Sequence, residues 1–561
     1  MNTSGDRRLF LLQALLITVL TVLVYVHAPQ ARGLMMDDSS LNFDNPLVTQ
    51  MSKQSIKGIF TTYDPELYIP MTLLSYKAEH ALWGESLTLT HITNMILHIL
   101  NAVLVLLLIR ELTRETWISF LTALLFAVHP LQTEAVMWIA ARKDLLSAFF
   151  FLMTLLAYRH YAKTGKRLSY FASIFLFACA LMSKVLTIML PLILMITDDV
   201  RPPEKKHGHA MRLAPYWILS MLFLMIGVAR KVLTVDQMSY ATTMLVAGKS
   251  ITFYLQKLLL PVDLMLFYHQ HTPVNALSWE FALPMMVLPL LYVIAFAAHR
   301  ASKWISFGIL WFFMTLLPNL ANFTRLDTST ILFASDRYVY LASIGIFLLI
   351  SMGVITLYRQ KFLLAKVISL TLALSTISMC AVFTYRQSLF WQSPRTLMMH
   401  MITIDPDAHM ALTILGVGEL NDGHITEAVT HLRTASALAP DFETPHTHLA
   451  LALLKQGNSA EAIRTLNDVL QKSPTSTYGL SFLAFALQQE GRLLEAQKTV
   501  DLLLTLHPDS PQGFQILGSI EEQRRHFDKA QEHYLQAIKL DAYIVSSKAA
   551  LARLMRERST R

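Results

Sequence analysis

Residues 457–474 read GNSAEAIRTLNDVLQKSP, and the frame of that stretch returns along the chain. Gly423, Gly457 and Gly491 are 34 residues apart; Ala428, Ala462, Ala496 and Ala530 keep the same period, as do Pro440, Pro474 and Pro508. A fixed period of this length marks a stacked array of small helical units. Each slot has a physical reason. Gly takes the turn between two helices, Ala lets the helices approach closely, and Pro ends the second one. Four repeats are counted across roughly 408–543, and a helix near 545–558, rich in Arg, caps the stack. The fourth repeat departs from the frame, with Arg525 in the Gly slot and Ala542 in the Pro slot.

This spacing is the tetratricopeptide signature. Such solenoids bind extended peptides or other proteins on a concave face and do not usually perform chemistry. The repeats are therefore expected to recruit a protein acceptor or partner. The alternative is a purely structural or dimerising scaffold.

The rest of the chain has the opposite character. Of the 561 residues 54% are hydrophobic and 15% charged, with a mean hydropathy of +0.43. An ordinary soluble domain carries roughly 25% charged residues. A soluble globular enzyme, a disordered chain and a fibrous protein are excluded. Apolar runs near 10–27, 89–109, 116–130, 145–162, 168–182, 185–198, 214–230, 282–298, 304–320, 337–357 and 362–383 read as eleven membrane spans. The first is too long for a cleaved signal peptide and has no small-residue cleavage site. The expected class is all-α: a polytopic membrane domain over 1–395 followed by a tetratricopeptide-repeat solenoid over 396–561.

Lys and Arg in short loops orient the spans. Arg7 and Arg8, Arg110 and Arg114, Lys163/Lys166/Arg167, Arg201/Lys205/Lys206/Arg212, Arg300/Lys303 and Arg359/Lys361/Lys366 fall on one side, read as cytoplasmic. The loop 28–88 and everything after 384 then lie on the opposite face. The stretch 249–270, broken by Pro261, reads as a re-entrant or surface helix. Residues 1–395 carry a formal charge of +12 and residues 396–561 carry −4. A basic membrane part suits a protein that handles lipid phosphates; a plain positive-inside bias explains the excess equally well. Cys179 and Cys380 both sit inside apolar runs, so they read as buried thiols, with no disulfide framework and no cysteine-ligated metal.

Polar residues near the non-cytoplasmic ends of the spans are the candidates for chemistry. Asp37 and Asp38 follow the first span, and a carboxylate pair there is costly without a function. One is read as a general base on an acceptor hydroxyl, its neighbour as an orienting group or a metal ligand. Their mutual repulsion raises one pKa. The alternative is an ordinary solvated loop. A hairpin follows, with His129, Pro130, Thr133 and Glu134, then Trp138 and Arg142-Lys143-Asp144. His129 and Glu134 are read as facing a shared cavity, and Arg142 and Lys143 as phosphate ligands, against a plain hydrogen-bonded hairpin. Lys184, after Ser183, is a further phosphate candidate, with snorkelling as its alternative. Asn322 to Arg325 and then Asp336-Arg337-Tyr338 complete the set. Arg337 can clamp a phosphate bidentately, with Asp336 to neutralise it. No P-loop, GxGxxG, HExxH or Cys-rich motif occurs, which argues against an ATP-driven pump and a nicotinamide enzyme. No basic, aromatic-interleaved surface for nucleic acid is present in the repeats.

In order along the chain come the Asp-Asp loop, Tyr68-Ile69-Pro70, Ala81-Leu82-Trp83-Gly84, the His129-Pro130 hairpin, Ser183-Lys184, Tyr254-Leu255, Leu260-Pro261, Trp311-Phe312, Leu317-Pro318, Asp336-Arg337-Tyr338, Trp391 and the repeats. This order resembles the transmembrane-and-tetratricopeptide-repeat proteins, which are similar to the protein O-mannosyltransferases of the GT-C glycosyltransferase class. The resemblance covers essentially the whole chain. It implies transfer of mannose or a similar hexose from a polyprenyl-phosphate donor to a protein Ser or Thr hydroxyl, with inversion, on the luminal or periplasmic face. It implies Asp37 or Asp38 as catalytic base and Lys184, Arg337 and Arg142 as holders of the departing phosphate. His129, Glu134 and Asp336 complete the expected site. No cofactor is required, because the leaving group is already a phosphate; a divalent cation at the paired Asp stays open. The family often has Glu after Ser-Lys where this chain has Val185, which places the role of Ser183-Lys184 in question.

Two other functions compete with this reading. One is a non-catalytic membrane scaffold whose repeats bind protein partners. The other is a transporter of lipid-linked sugars, which would call for paired half-chain repeats that residues 1–395 do not display. The compact loops point to a bacterial inner membrane, with an endoplasmic reticulum membrane as the alternative and the repeats on the periplasmic or luminal side.

Overall fold

The computed structural model describes residues 4–34, 37–63, 68–204, 209–231, 239–321, 324–325, 331–540 and 545–559. Lys205, Lys206, Asn322 and Ala542, singled out above, lie outside the described residues. The chain divides into two compact units, Met1–His400 and Met401–Arg561.

The first unit is helical. Its main helices are α1 (Ser4–Val24), α2 (Pro70–Trp83), α3 (Leu87–Thr113), α4 (Thr116–Val128), α5 (Arg142–Thr164), α6 (Arg167–Ser183), α7 (Leu190–Val200), α8 (His209–Lys231), α9 (Tyr240–Leu259), α10 (Trp279–Ala301), α11 (Lys303–Leu316), α12 (Ser343–Tyr358) and α13 (Leu363–Phe390). Every apolar run expected to be a span is helical. Fewer, however, have the length and composition of one. Among the described residues five helices are long and apolar enough to cross a membrane. The count is six if Thr116–Val128 and Pro130–Met137, bent by 55°, form one span. The reading of eleven counted runs of apolar residues without their helix lengths. Helix α6 has 17 residues, α7 has 11 and α12 has 16, and at 1.5 Å per residue the last rises only about 24 Å against a hydrocarbon core of about 30 Å. Helix α5 is long enough but opens on Arg142, Lys143 and Asp144.

The first part of the stretch read as a re-entrant or surface helix is the second half of α9, a helix of 20 residues that ends at Leu259, with Leu260 as its C-cap before Pro261. Its Val246, Ile251, Tyr254 and Leu258 join the same apolar core as α3 to α6. A small sheet had no signal in the sequence. Strand β1 (Tyr268–Gln270) and β2 (Thr324–Arg325) flank β3 (Ile331–Ala334), all antiparallel, with a bulge between Tyr268 and His269. The Ser250 hydroxyl of α9 donates to the Phe333 carbonyl at 2.6 Å, and the Tyr254 hydroxyl to the Ser335 carbonyl at 3.0 Å. Together they hold the sheet against α9.

Close packing in the core depends on small residues where helices cross. Gly308 of α11 and Gly345 of α12 meet backbone to backbone: a Cβ on Gly345 would overlap the Gly308 carbonyl oxygen. Trp311, fully buried beside this contact, donates its indole N–H to the Leu341 carbonyl at 2.9 Å.

The second unit repeats one helical pair. The pairs are α14 (His409–Asp422) with α15 (Ile425–Leu438), α16 (Glu443–Gln456) with α17 (Ser459–Lys472), α18 (Thr477–Gln489) with α19 (Leu493–Leu506), and α20 (Pro511–Gln523) with α21 (Phe527–Leu540), followed by α22 (Val545–Ser559). Ala428, Ala462, Ala496 and Ala530 are each fully buried on the second helix of a pair, as their spacing required. Gly423 and Gly457 turn the chain with φ of +86° and +89°, where a side chain is disfavoured. Arg525, in the Gly slot of the fourth repeat, takes the same left-handed conformation at φ +63°. The repeat geometry therefore survives the departure at a local cost of about 1–2 kcal/mol.

The Gly308–Gly345 contact makes a direct prediction. Gly345→Ala should destabilise the chain by about 1–3 kcal/mol through overpacking, read as a lower thermal midpoint of the purified full-length protein. Gly353→Ala on the same helix, where nothing lies within 4 Å, should hold that midpoint or raise it slightly.

Candidate active site

The two aspartates of the first loop have different surroundings. Asp38 is 2% exposed. Its Oδ2 accepts from the Leu34 amide at 2.7 Å and its Oδ1 from the Ala140 amide at 2.9 Å. These bonds staple the first loop to the turn that precedes α5. Burial pushes the Asp38 carboxyl up to about 7, against the pull of the two amides and with a smaller push from Asp37. The Asp37 side chain is 50% exposed, and the Lys143 ammonium lies 3.9 Å from its Oδ2. Of the two, Asp37 is therefore the one that offers an accessible carboxylate to an incoming group. Each Asp38 oxygen accepts one backbone amide, whereas Asp37 faces Lys143.

The three basic candidates also separate. Arg142 is 1% exposed and opens α5. Its Nε donates to Asn94, its Nη1 to Glu79 at 2.8 Å and its Nη2 to the Thr90 carbonyl at 3.0 Å, and its guanidinium lies over the Tyr76 ring at 5.1 Å. The expectation of Arg142 as a phosphate ligand is corrected: it binds α5 to α2 and α3 and has no open face.

Lys184 and Arg337 do come together. They line one pocket with Asp144, Thr315, Asn319 and Tyr338. Lys184, at the end of α6, is paired with Asp144 in the first turn of α5. Arg337 is paired with Glu134, whose Oε2 also accepts the Arg337 amide at 3.2 Å and whose Oε1 accepts from the Ser335 hydroxyl at 2.7 Å. The Tyr338 ring lies 5.3 Å from the Lys184 ammonium and 5.2 Å from the Arg337 guanidinium, which also covers the Trp138 ring at 4.4 Å. Lys143 pairs with Asp37 of the first loop and directly precedes Asp144, which lines the pocket.

Two further expectations change. Glu134, not Asp336, neutralises Arg337. Asp336 is 3% exposed and accepts from the Tyr268 hydroxyl at 2.8 Å. Burial, and then the Glu134 charge, hold its carboxyl well above the ordinary range. His129 does not share a cavity with Glu134. Its Nδ1 accepts from the Leu131 amide at 3.3 Å, its Nε2 donates to the Leu258 carbonyl at 3.2 Å, and it is 2% exposed. Both nitrogens are used, so His129 is a structural clip between the hairpin and α9. Of the segment 322–325, residues 322 and 323 lie outside the described residues and Thr324–Arg325 form β2.

Sequence reasoning missed Asp144 as the partner of Lys184, Tyr338 as the ring that both cations reach, and Glu79 and Asn94 as the cradle of Arg142. Only Asp144 carried a signal: an acid in the first turn of an otherwise apolar helix.

Comparison with known proteins identifies the repeats and a set of partial relatives. A tetratricopeptide repeat family matches residues 420–480 and 453–520. Protein O-mannosyl-transferase TMTC1 of Mus musculus is 30% identical over 161 residues, 27% of this chain and 17% of that protein. Protein O-mannosyl-transferase TMTC3 of Homo sapiens is 37% identical over 91 residues, 16% of this chain and 10% of that protein. TMTC4 of Homo sapiens is 36% identical over 138 residues, 21% of this chain and 19% of that protein. The matched region spans less than a fifth of the length of these curated relatives. Among solved structures, a thermophilic TPR protein of Thermus thermophilus aligns with 32% of this chain and 94% of its own, at 19% identity and a TM-score of 0.27. The resemblance to the transmembrane-and-tetratricopeptide-repeat O-mannosyltransferase-like proteins is thus borne out, as is the all-α class with a repeat solenoid.

The Asp38 staple sets a pH dependence. The folded chain keeps the Asp38 proton up to about pH 7, whereas an unfolded carboxyl loses it near 3.8. Between these values the folded state binds more protons, so stability falls as pH rises through the window and levels off above it. The thermal midpoint should decline from pH 5 to pH 8, and Asp38→Asn should flatten that decline. An unchanged slope in the variant would reject the assignment. Arg142→Gln should cost about 3–5 kcal/mol by leaving a buried Glu79 unpaired. A variant as stable as the parent in denaturation, but weaker in donor binding, would restore Arg142 as a phosphate ligand.

Proposed function

We propose that this chain is an integral-membrane glycosyltransferase of the O-mannosyltransferase type. It moves mannose or a similar hexose from a polyprenyl phosphate to a Ser or Thr hydroxyl of a protein bound by the repeats. The supporting observation is one accessible carboxylate, Asp37, paired with Lys143, whose sequence neighbour Asp144 lines the pocket that holds Lys184 and Arg337.

The chemistry follows from these groups. Asp37 accepts the proton of the acceptor hydroxyl as that oxygen attacks the sugar C1. The C1–O bond to the lipid phosphate breaks on the opposite face, so the anomeric centre inverts. The electron pair leaves with the polyprenyl phosphate, and Lys184 and Arg337 stabilise its developing charge. Each of these cations is already fixed by one carboxylate, Asp144 or Glu134, so a phosphate would share a preplaced charge rather than recruit a mobile one. Asp38 acts as a positioning residue by holding the first loop against the turn before α5. No step requires a cofactor.

The site and the repeats belong on the non-cytoplasmic face, either of a bacterial inner membrane, which the compact loops favour, or of the endoplasmic reticulum. The same neutral pairing of Lys184 and Arg337, together with Val185 after Ser183-Lys184, favours a second reading: a non-catalytic scaffold whose repeats hold protein partners.

Transfer from radiolabelled polyprenyl-phosphate-mannose to Ser/Thr-rich peptides separates the two. The parent should transfer, Asp37→Asn should lose roughly 10²–10⁴-fold in rate with donor binding retained, and Lys184→Ala should weaken donor binding. Transfer by Asp37→Asn at the parental rate would remove Asp37 as the base. Absence of both donor binding and transfer in the parent would leave the scaffold.

A further inference from the structure

A second polar pocket lies elsewhere in the first unit. Six of its lining residues are Glu111, Arg114, Arg159, Lys163, Arg201 and Glu204. Four cations face two carboxylates there, a formal excess of +2. The residues come from three helix ends. Glu111 and Arg114 close α3, Arg159 and Lys163 close α5, and Arg201 follows α7.

The pocket has an ordered floor. Arg159 is 3% exposed, and its Nη1 donates to the Arg201 carbonyl at 2.6 Å. Asp198 stands 3.5 Å from that nitrogen, but it also accepts from Arg212 and from the Tyr158 hydroxyl, each at 2.6 Å. The Arg159 Nε is buried with no hydrogen-bond partner among the described residues. The Glu204 amide donates to the Ala162 carbonyl at 3.1 Å and closes the loop over the end of α5. Above this floor Arg114 and Lys163 are exposed and Arg201 is half-buried. The helix carbonyl ends attract cations in general, but they do not account for a concave site with a buried guanidinium at its base.

Its position is set by α5. That helix carries Asp144 in the pocket of Lys184 and Arg337, and Lys163 in this one. Nineteen residues at 1.5 Å each separate them by about 28 Å, close to the thickness of a bilayer hydrocarbon core at about 30 Å. The two pockets thus lie toward opposite ends of one helix whose length between them is comparable to a hydrocarbon core.

We propose that this second pocket binds the phosphate of an anionic lipid headgroup in the leaflet opposite the Asp37 loop. Arg114, Lys163 and Arg201 form the entrance and Arg159 the base. A phosphate group matches the charge excess and the several N–H donors. This inference does not depend on the glycosyltransferase chemistry: the Asp37 loop and the first pocket serve only as reference points for position along α5.

Native mass spectrometry of the full-length protein in neutral detergent, titrated with phosphatidylglycerol, tests it. The parent should retain this lipid at least tenfold more tightly than the Arg114→Ala/Lys163→Ala/Arg201→Ala variant and than phosphatidylcholine. Lys163→Glu alone should weaken retention if the triple variant is poorly folded. Arg359→Ala, which removes an exposed cation paired with Glu115 outside the pocket, should have no effect. Equal retention by parent and pocket variants, or an equal loss in Arg359→Ala, would overturn the proposal. Glycerol phosphate is the soluble arm. If it displaces the lipid at similar concentration, the phosphate alone is recognised; if it does not, the lipid-borne headgroup is required. Both results support a phosphate site, and binding of neither ligand overturns it.

Discussion

An ionised side chain in a low-dielectric interior is tolerated only when a counter-charge and hydrogen bonds come with it. The first unit is organised by that requirement. Arg142 at the start of α5 reaches Glu79 on α2 and both Asn94 and the Thr90 carbonyl on α3, so neutralising one guanidinium fixes where three helices meet. Lys184 with Asp144 ties the end of α6 to the start of α5. Arg337 with Glu134 ties the turn before α12 to the hairpin after α4. Each pair joins segments distant in sequence, and breaking one would cost more than forming it gained.

The same pairing shapes what the site can recognise. The Tyr338 ring is reached by both Lys184 and Arg337 at about the same distance. Two like charges are thereby held near one another, each steadied by its own carboxylate and a shared π face. An anion entering between them meets donors already oriented, but it competes with Asp144 and Glu134. Such a site favours a ligand that supplies binding energy elsewhere, as a long lipid chain does, over a small free anion.

The repeats were legible because a 34-residue period encodes local packing: Ala462 is buried because its neighbours along the same pair require a small residue there. The helical character of the first unit was legible from its apolar runs. Helix lengths were not, since a run such as 337–357 contains a separate turn at Asp336–Val339 before α12 begins. Partner choice was the least legible feature. Asp336 adjoins Arg337 in sequence, yet Glu134, about two hundred residues away, is the counter-ion. Asp37 and Asp38 are chemically identical and adjacent; only the fold assigns one to backbone amides and the other to solvent. The three-stranded sheet had no alternating pattern long enough to read, because its strands hold two to four residues.

The buried alanines of the second unit recur at one register, and each helical pair packs chiefly on the pairs beside it. Whole repeats can therefore be gained or lost by duplication or deletion in multiples of one period, each new junction resembling the old ones. The length of the solenoid is in this sense a modular variable, open to evolutionary change by recombination while the buried ion pairs of the first unit stay as they are.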